Sequence, residues 1–74
     1  MQHGSEDLEL VEAEEDVREL ERHVADQEIR IKQLQAAGRN DDEMKAREGL
    51  FLLSDALDIA KRRLQVEREA RGNR

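Results

Sequence analysis

The residues of this chain that suggest chemistry are two histidines and several clustered acids. His23 follows Glu19 by four residues, a helical spacing at which both side chains can ligate one metal ion. Diiron carboxylate bundles need Glu and His three residues apart and facing inward, and neither Glu19 nor Glu21 has that spacing to His23. We therefore interpret His23 as an exposed helix residue that pairs with Glu19.

The N-terminal residues Met1, Gln2 and His3 have the spacing of a copper or nickel site. A free amino terminus followed by two residues and a histidine wraps four nitrogens in a square plane around Cu(II) or Ni(II). Binding there depends on a native, free terminus, and we predict no metal site. The acid clusters at 14–16 and 41–43 lack the alternating oxygen ligands and the glycine of a calcium loop. They are interpreted as a solvated face and a helix start.

Other catalytic motifs are missing from the sequence. It contains no cysteine and no Gly-rich phosphate loop, and neither Ser5 nor Ser54 has a His and Asp arrangement around it. We predict that the protein is not an enzyme, with no cofactor and no small-molecule substrate. A basic tract could contact phosphates; it consists of Lys61, Arg62, Arg63, Arg68, Arg71 and Arg74. The net charge of −6 and the lack of stacking aromatics there argue against nucleic acid and membrane surfaces as partners.

Length and composition limit how this chain can fold. It has 74 residues, 43% of them charged and 36% hydrophobic, with one aromatic residue and no proline. One core in so short a chain rarely supplies more than about 3 to 5 kcal/mol, and disulfides cannot add to it. The sequence has neither a run of about 18 apolar residues nor a signal-peptide pattern, so we predict a cytoplasmic protein.

The spacing of the apolar residues distinguishes a helical protein from a disordered one. With Leu10 as heptad position a, seven of the eight a and d positions through Leu34 are apolar, and Gln27 is the exception. A disordered acidic segment would not keep this repeat, which resumes in the second half of the chain. The pattern predicts an all-α fold, an antiparallel two-helix coiled-coil hairpin. Its predicted seam consists of Leu10, Ala13, Val17, Leu20, Val24, Ile31, Leu34, Ala46, Leu50, Leu53, Leu57, Ala60 and Leu64.

One break separates the two helices. Gly38 suits the left-handed position after a helix, and Asn40 with Glu43 resembles a capping box. Ser5 is the predicted cap of the first helix. Gly49, inside the second helix, either permits a close backbone approach or is a weak spot. The predicted boundaries are helix 1 at about 5–37, a turn at about 38–41 and helix 2 at about 41–71, in one domain of residues 1–74.

Charge is distributed unevenly along the chain. Residues 1–29 carry eleven acids and two bases, whereas residues 30–74 carry a net charge of +3. An antiparallel hairpin lays the acidic start of helix 1 beside the basic end of helix 2. A register in which facing residue numbers add up to about 77 places large residues against small ones, such as Leu64 against Ala13. The helices also contain acid-to-base pairs four residues apart: Glu14 with Arg18, Asp26 with Arg30, Glu28 with Lys32, Glu43 with Arg47, Asp58 with Arg62, and Glu67 with Arg71.

Helix 2 carries more apolar surface than one seam can bury. Leu52, Ile59 and Val66 repeat every seven residues on a second face, flanked by Phe51 and Ala56. We predict that these five residues form an oligomer interface, and that two hairpins make a homodimeric four-helix bundle. The alternative is that the stripe only widens the face that the hairpin buries within itself.

The segment 21–27, Glu-Arg-His-Val-Ala-Asp-Gln, with the I-x-x-L pair of residues 31–34 and Gly38, resembles a family of small helical-hairpin proteins of rhizobia and other alphaproteobacteria. That family carries R-H-[VI]-A-x-[QG], an I-x-x-L pair, a Gly turn followed by Asp, and a Leu-rich second helix. The resemblance covers residues 11–66 and implies a cytosolic hairpin. The family has no assigned activity, so no catalytic residue is implied. Residues 58–61, Asp-Ile-Ala-Lys, replace positions rich in His or Arg, and no role carries over there.

Two functions fit these features. The first is a self-associating structural or protein-interaction module, which binds itself and a further, unidentified protein partner. The alternative is a small acidic regulatory antagonist, antitoxin-like or anti-sigma-like, that binds a basic or apolar groove of a partner protein. They differ in whether the second apolar stripe is permanently buried between copies or available to another protein.

Overall fold

The computed structural model describes residues 2–72, with side chains from residue 8 onward. The chain forms two helices, α1 (Gln2–Ala36) and α2 (Asn40–Gly72), which pack against each other as a hairpin with extents of 56 × 16 × 13 Å. The predicted all-α, two-helix fold is confirmed for these residues. α1 begins before Ser5, so this residue lies within the helix rather than at its start. The side chain of Ser5 lies outside the described ones.

Gly38 ends α1 in the left-handed conformation, with φ of +70°. The N–H of Arg39 donates to the carbonyl of Leu34 at 3.0 Å, and the N–H of Gly38 donates to the carbonyl of Gln35 at 3.1 Å. These are the two hydrogen bonds of a Schellman motif, and they satisfy carbonyls that the helix end leaves without partners. The short connection 37–39 makes α2 run back antiparallel to α1.

α2 begins at Asn40, and the predicted capping box is replaced by other contacts. The N–H of Glu43 donates to the carbonyl of Arg39 at 2.9 Å, so Arg39 rather than Asn40 is the N-cap residue. The carboxylate of Glu43 accepts hydrogen bonds from Nε of Arg47 at 2.7 Å and from Nε2 of Gln35 at 3.1 Å. The bond from Arg47 is the main reason that the pKa of Glu43 lies below its usual value. Through Gln35, this carboxylate also links the start of α2 to the end of α1.

We expect Gly38→Ala to destabilise the hairpin by about 1 to 2 kcal/mol, the penalty of a Cβ in the left-handed conformation. A Cβ at Gly38 would meet no atom within 4 Å, so the penalty comes from the backbone alone. Gly72→Ala is the matched control, because Gly72 also faces open space but lacks a positive φ. Its free energy of unfolding in urea should change by less than about 0.5 kcal/mol. Equal losses in both variants would contradict the role given to Gly38.

The core lies along the seam between the helices. All thirteen residues assigned to the seam are buried or half-buried. Ala13, Val17 and Leu64 form a buried cluster, against which further half-buried side chains pack, namely Leu10, Leu57 and Ala60. The alanines leave room for the larger side chains that face them, which allows the two helices to approach closely. Ile31 and Ala46, nearer the turn, are also buried.

One polar hydrogen bond crosses this apolar seam. Nε2 of Gln27 donates to the backbone carbonyl of Ala46 at 2.8 Å. The predicted register places Gln27 opposite Leu50. The side-chain amide of Gln27 reaches Ala46, which lies one helical turn before Leu50. A Cβ on Gly49 would lie 3.1 Å from the same nitrogen. Gly49 therefore leaves the space that the Gln27 amide occupies, which explains a glycine that costs about 1 kcal/mol relative to alanine in a helix.

We expect Gly49→Ala to stabilise the hairpin less in the wild-type background than in a Gln27→Ala background. With Gln27 truncated, the new methyl group meets nothing and the full helix-propensity gain of about 1 kcal/mol should appear. With Gln27 present, the methyl group displaces its amide and weakens a bond worth about 0.5 to 1.5 kcal/mol. A double-mutant cycle in urea, at one protein concentration, measures this coupling. Equal gains in both backgrounds would mean that Gly49 and Gln27 do not interact.

Two ion pairs join the acidic helix to the basic end of α2. Arg63 and Asp16 lie 3.5 Å apart, and Arg68 and Glu14 lie 3.6 Å apart. Their signs match the charge pattern expected of an antiparallel hairpin. Because these side chains are largely solvated, each pair contributes only about 0 to 1 kcal/mol. They favour the antiparallel orientation more than they stabilise the fold.

The ion pairs within each helix follow the predicted spacing only in part. Glu43 pairs with Arg47 at 2.7 Å, and Glu67 pairs with Arg71 at 3.2 Å. Arg18 is without its predicted partner Glu14, which instead contacts α2. In the described part of the chain, the other three predicted pairs are not in contact: Asp26 with Arg30, Glu28 with Lys32, and Asp58 with Arg62.

Candidate interaction surface

The largest exposed apolar side chains of α2 lie on the face turned away from α1. Phe51 and Leu52 are each 70% exposed, Ile59 is 65% exposed and Val66 is 64% exposed. Met44, at 64%, lies seven residues before Phe51 and extends the same face. At about 100° per residue these five side chains span about 100° of the helix surface. We call Met44, Phe51, Leu52, Ile59 and Val66 the outer patch.

Ala56, also predicted for the oligomer interface, is half-buried and lies between the outer patch and the seam. Met44 was not assigned to this surface from the sequence, although its spacing from Phe51 is a signal that could have identified it. Single exposed apolar residues are ordinary on protein surfaces, but several on one helix face are typical of an interaction site. Among the side chains described, from residue 8 to residue 72, none covers the outer patch.

A shallow groove between the helices borders the outer patch at Ile59. Its floor is apolar, formed by Leu20 of α1 with Ala56 and Ala60 of α2. Its polar rim consists of Asp16, Glu19, His23 and Arg63. On the other side of the hairpin, Val17 and Leu64 are flanked by charged side chains, among them Glu14, Arg18, Glu21, Lys61 and Arg68. Through Ile59, the outer patch continues into the apolar floor of the first groove.

His23 lies on the rim of the apolar groove, where its Nε2 is 3.6 Å from Oε1 of Glu19. Both side chains are more than half exposed. Among the side chains that the structure describes, no three His, Cys, Asp or Glu residues are grouped closely enough to hold a metal ion. The predicted copper or nickel spacing at His3 lies outside the described side chains. In the second acid cluster, Asp42 pairs with Arg39 at 2.6 Å.

Half of the basic tract contacts acids of the same chain. Arg63 and Arg68 contact α1, and Arg71 contacts both the carboxylate and the backbone carbonyl of Glu67. Lys61 and Arg62 are exposed, and Arg74 lies outside the described residues. The intramolecular ion pairs leave less of this tract available to phosphates than its sequence suggests. Neither described helix has an apolar stretch long enough to cross a membrane.

The hairpin as a whole exposes more surface than a compact protein of its size. A compact monomer of 8.6 kDa has about 4,700 Å² of accessible surface, whereas this hairpin exposes 5908 Å². Its radius of gyration is 16.8 Å, against about 11 Å for a compact domain of this length. The extra accessible surface arises because the two helices lie side by side and contact each other along only one face. Each helix therefore keeps most of its circumference in water.

Comparison of the chain with protein-family models, curated proteins and solved structures found no match. The resemblance to the rhizobial hairpin family stays a prediction.

Proposed function

We propose that this protein is a non-enzymatic helical hairpin that works as a structural or interaction module by associating with a second copy of itself. The observation that carries the proposal is the outer patch, in which five large apolar side chains share one face of α2 at 64–70% exposure. Burying apolar surface contributes about 25 cal/mol for each Å² removed from water. The described part of the hairpin, residues 8–72, leaves this patch uncovered.

The thin core supports the same proposal. The buried residues of the described chain are two alanines, one valine, one isoleucine and one leucine. Pairing of two hairpins into a four-helix assembly would give α2 a second packed face, with the two α2 helices side by side and the α1 helix of each copy on the outside. A two-fold dimer uses the same patch on both copies, so a patch centred on one helix suits it. A cytoplasmic location is part of this proposal, since a charged helical bundle of this kind needs no membrane.

Sedimentation equilibrium at tens of micromolar tests the proposal. We expect a mass of twice 8.6 kDa. Repeating the measurement over a range of salt concentrations separates apolar association from charge-driven association, because salt screens exposed ion pairs but not apolar contacts. A chain that sediments as a monomer under all these conditions would rule out self-association as its function.

A second candidate function follows from the acidic surface of α1. Eight acids between residues 9 and 28 are exposed, and only Glu14 is half-buried. Such a surface suits a regulatory antagonist that occupies the basic groove of another protein. Capture from the source cytosol with the immobilised hairpin tests this function. The binding of one basic protein that is lost at high salt would support it, and capture of the hairpin alone would count against it.

A further inference from the structure

We propose that the two copies associate with their α2 helices antiparallel, about a two-fold axis that passes close to Ile59. This inference rests on the self-association proposed above, and it assigns the occupant of the outer patch and its orientation. The occupant is the same patch of a second copy. The apolar repeat of α2 is compatible with both parallel and antiparallel pairing. The side chains that each arrangement brings into contact distinguish the two.

The apolar residues of the patch are arranged symmetrically about Ile59. Leu52 lies seven residues before Ile59 and Val66 lies seven residues after it, and all three are 64–70% exposed. An antiparallel pair with its axis at Ile59 places Leu52 against Val66 of the second copy, twice. It also places Ile59 against Ile59 of the second copy. Each of these three side chains then meets an apolar partner.

The charged residues between these apolar positions decide between the two directions. Asp55 and Arg62 are both exposed and lie on the same face as Ile59, four residues before it and three residues after it. An antiparallel pair brings Asp55 beside Arg62 of the second copy, at two symmetric places. A parallel pair brings each charge beside its own copy, Asp55 to Asp55 and Arg62 to Arg62. Like charges at such positions select against the parallel arrangement.

The dipoles of the two α2 helices also favour this direction, because an antiparallel pair lays the N-terminal end of each helix beside the C-terminal end of the other. One like-charge approach, Glu48 to Glu69 of the second copy, falls at the ends of the contact, where solvent screens it.

Disulfide cross-linking tests the orientation, and the chain is suited to it because it contains no cysteine. Leu52→Cys and Val66→Cys variants are mixed, oxidised in a glutathione buffer and resolved by intact mass. A disulfide requires Cβ atoms within about 4.5 Å of each other, so only residues in contact react quickly. We expect the mixed disulfide between positions 52 and 66 to exceed both symmetric disulfides and the statistical half of the product. Ile29→Cys, exposed on α1, is the control and should cross-link slowly.

The outcomes of sedimentation and cross-linking distinguish a wrong orientation from a failure of self-association. A dimer by sedimentation that forms mainly symmetric disulfides at 52 and at 66 would overturn the antiparallel orientation and leave self-association intact. A monomer by sedimentation, with all variants cross-linking as slowly as Ile29→Cys, would overturn self-association itself.

A charge exchange gives a second readout that needs no cysteine. Asp55→Arg is expected to raise the Kd of the dimer several-fold, because it places two arginines together at each symmetric contact. Adding Arg62→Asp should restore the wild-type Kd. In a parallel dimer, Asp55→Arg only exchanges one like-charge contact for another, so an unchanged Kd for that variant in a dimer would also overturn the orientation.

Discussion

Leu64→Ala is expected to cost about 2 to 5 kcal/mol of unfolding free energy, the range seen when a buried leucine is truncated. Leu64 is 7% exposed and packs in the cluster with Ala13 and Val17. A single core in a chain of this size supplies only about 3 to 5 kcal/mol. The variant should therefore be largely unfolded or close to its unfolding midpoint at room temperature. The cavity cannot close easily, because Ala13 on the facing helix is too small to fill it.

Thermal and urea unfolding followed by circular dichroism measure this effect. Both must be run at one protein concentration, since association would make apparent stability concentration-dependent. Leu8→Ala is the matched control, because Leu8 is 57% exposed. Its free energy of unfolding should change by less than about 0.5 kcal/mol. If Leu8→Ala proved as damaging as Leu64→Ala, the seam would not be the main source of stability.

Ile59→Asp is expected to convert the proposed dimer into a folded monomer. In the hairpin, Ile59 is 65% exposed, so an aspartate there stays solvated and helicity should remain high. In a dimer, the two carboxylates would be buried facing each other at the two-fold, while each Arg62 is already placed beside Asp55 of the second copy. An unpaired buried charge costs about 3 to 5 kcal/mol, which corresponds to a rise in Kd of more than about a hundredfold. Sedimentation equilibrium should show the mass of one chain.

Ile29→Asp is the control for this variant. Ile29 is 55% exposed but lies on α1, outside the outer patch. The same chemical change there should leave the dimer intact. A dimeric Ile59→Asp would place the interface elsewhere on the hairpin. The alternative that the stripe only widens the buried face is already wrong, since Leu52, Ile59 and Val66 are 64–70% exposed. Loss of helicity in Ile59→Asp would mean that Ile59 stabilises the hairpin itself.

The positions of the helices could be predicted because the apolar repeat is local information. Residues three and four apart share a helix face whatever the rest of the chain does, so the seam from Leu10 to Leu34 predicts a helix directly. Gly38 is similarly informative, since few other residues tolerate the left-handed conformation. The charge difference between the two halves predicted an antiparallel hairpin, and Arg63 and Arg68 contact α1 accordingly.

Other features depended on distances that only the packed helices define. Gln27 breaks the apolar pattern, and the sequence does not show that it reaches the carbonyl of Ala46 beside Gly49. The start of α2 also differs from the predicted capping box of Asn40 and Glu43. The Glu43 carboxylate accepts hydrogen bonds from Arg47 and from Gln35 of α1 instead. The bonds from Gln27 to Ala46 and from Gln35 to Glu43 join residues on different helices, so their partners depend on the helix separation and rotation.

The sequence by itself determined that this protein is two helices joined at Gly38, with an apolar seam and a further apolar stripe on α2. These properties follow from the period of the residues and from the backbone preference of glycine. The tertiary structure decided which apolar residues remain uncovered. Once the seam packs, α1 occupies one side of α2, and Phe51, Leu52, Ile59 and Val66 are left in water. A cylinder can contact its neighbour along only one line, and the face that remains exposed is where we propose that a second copy binds.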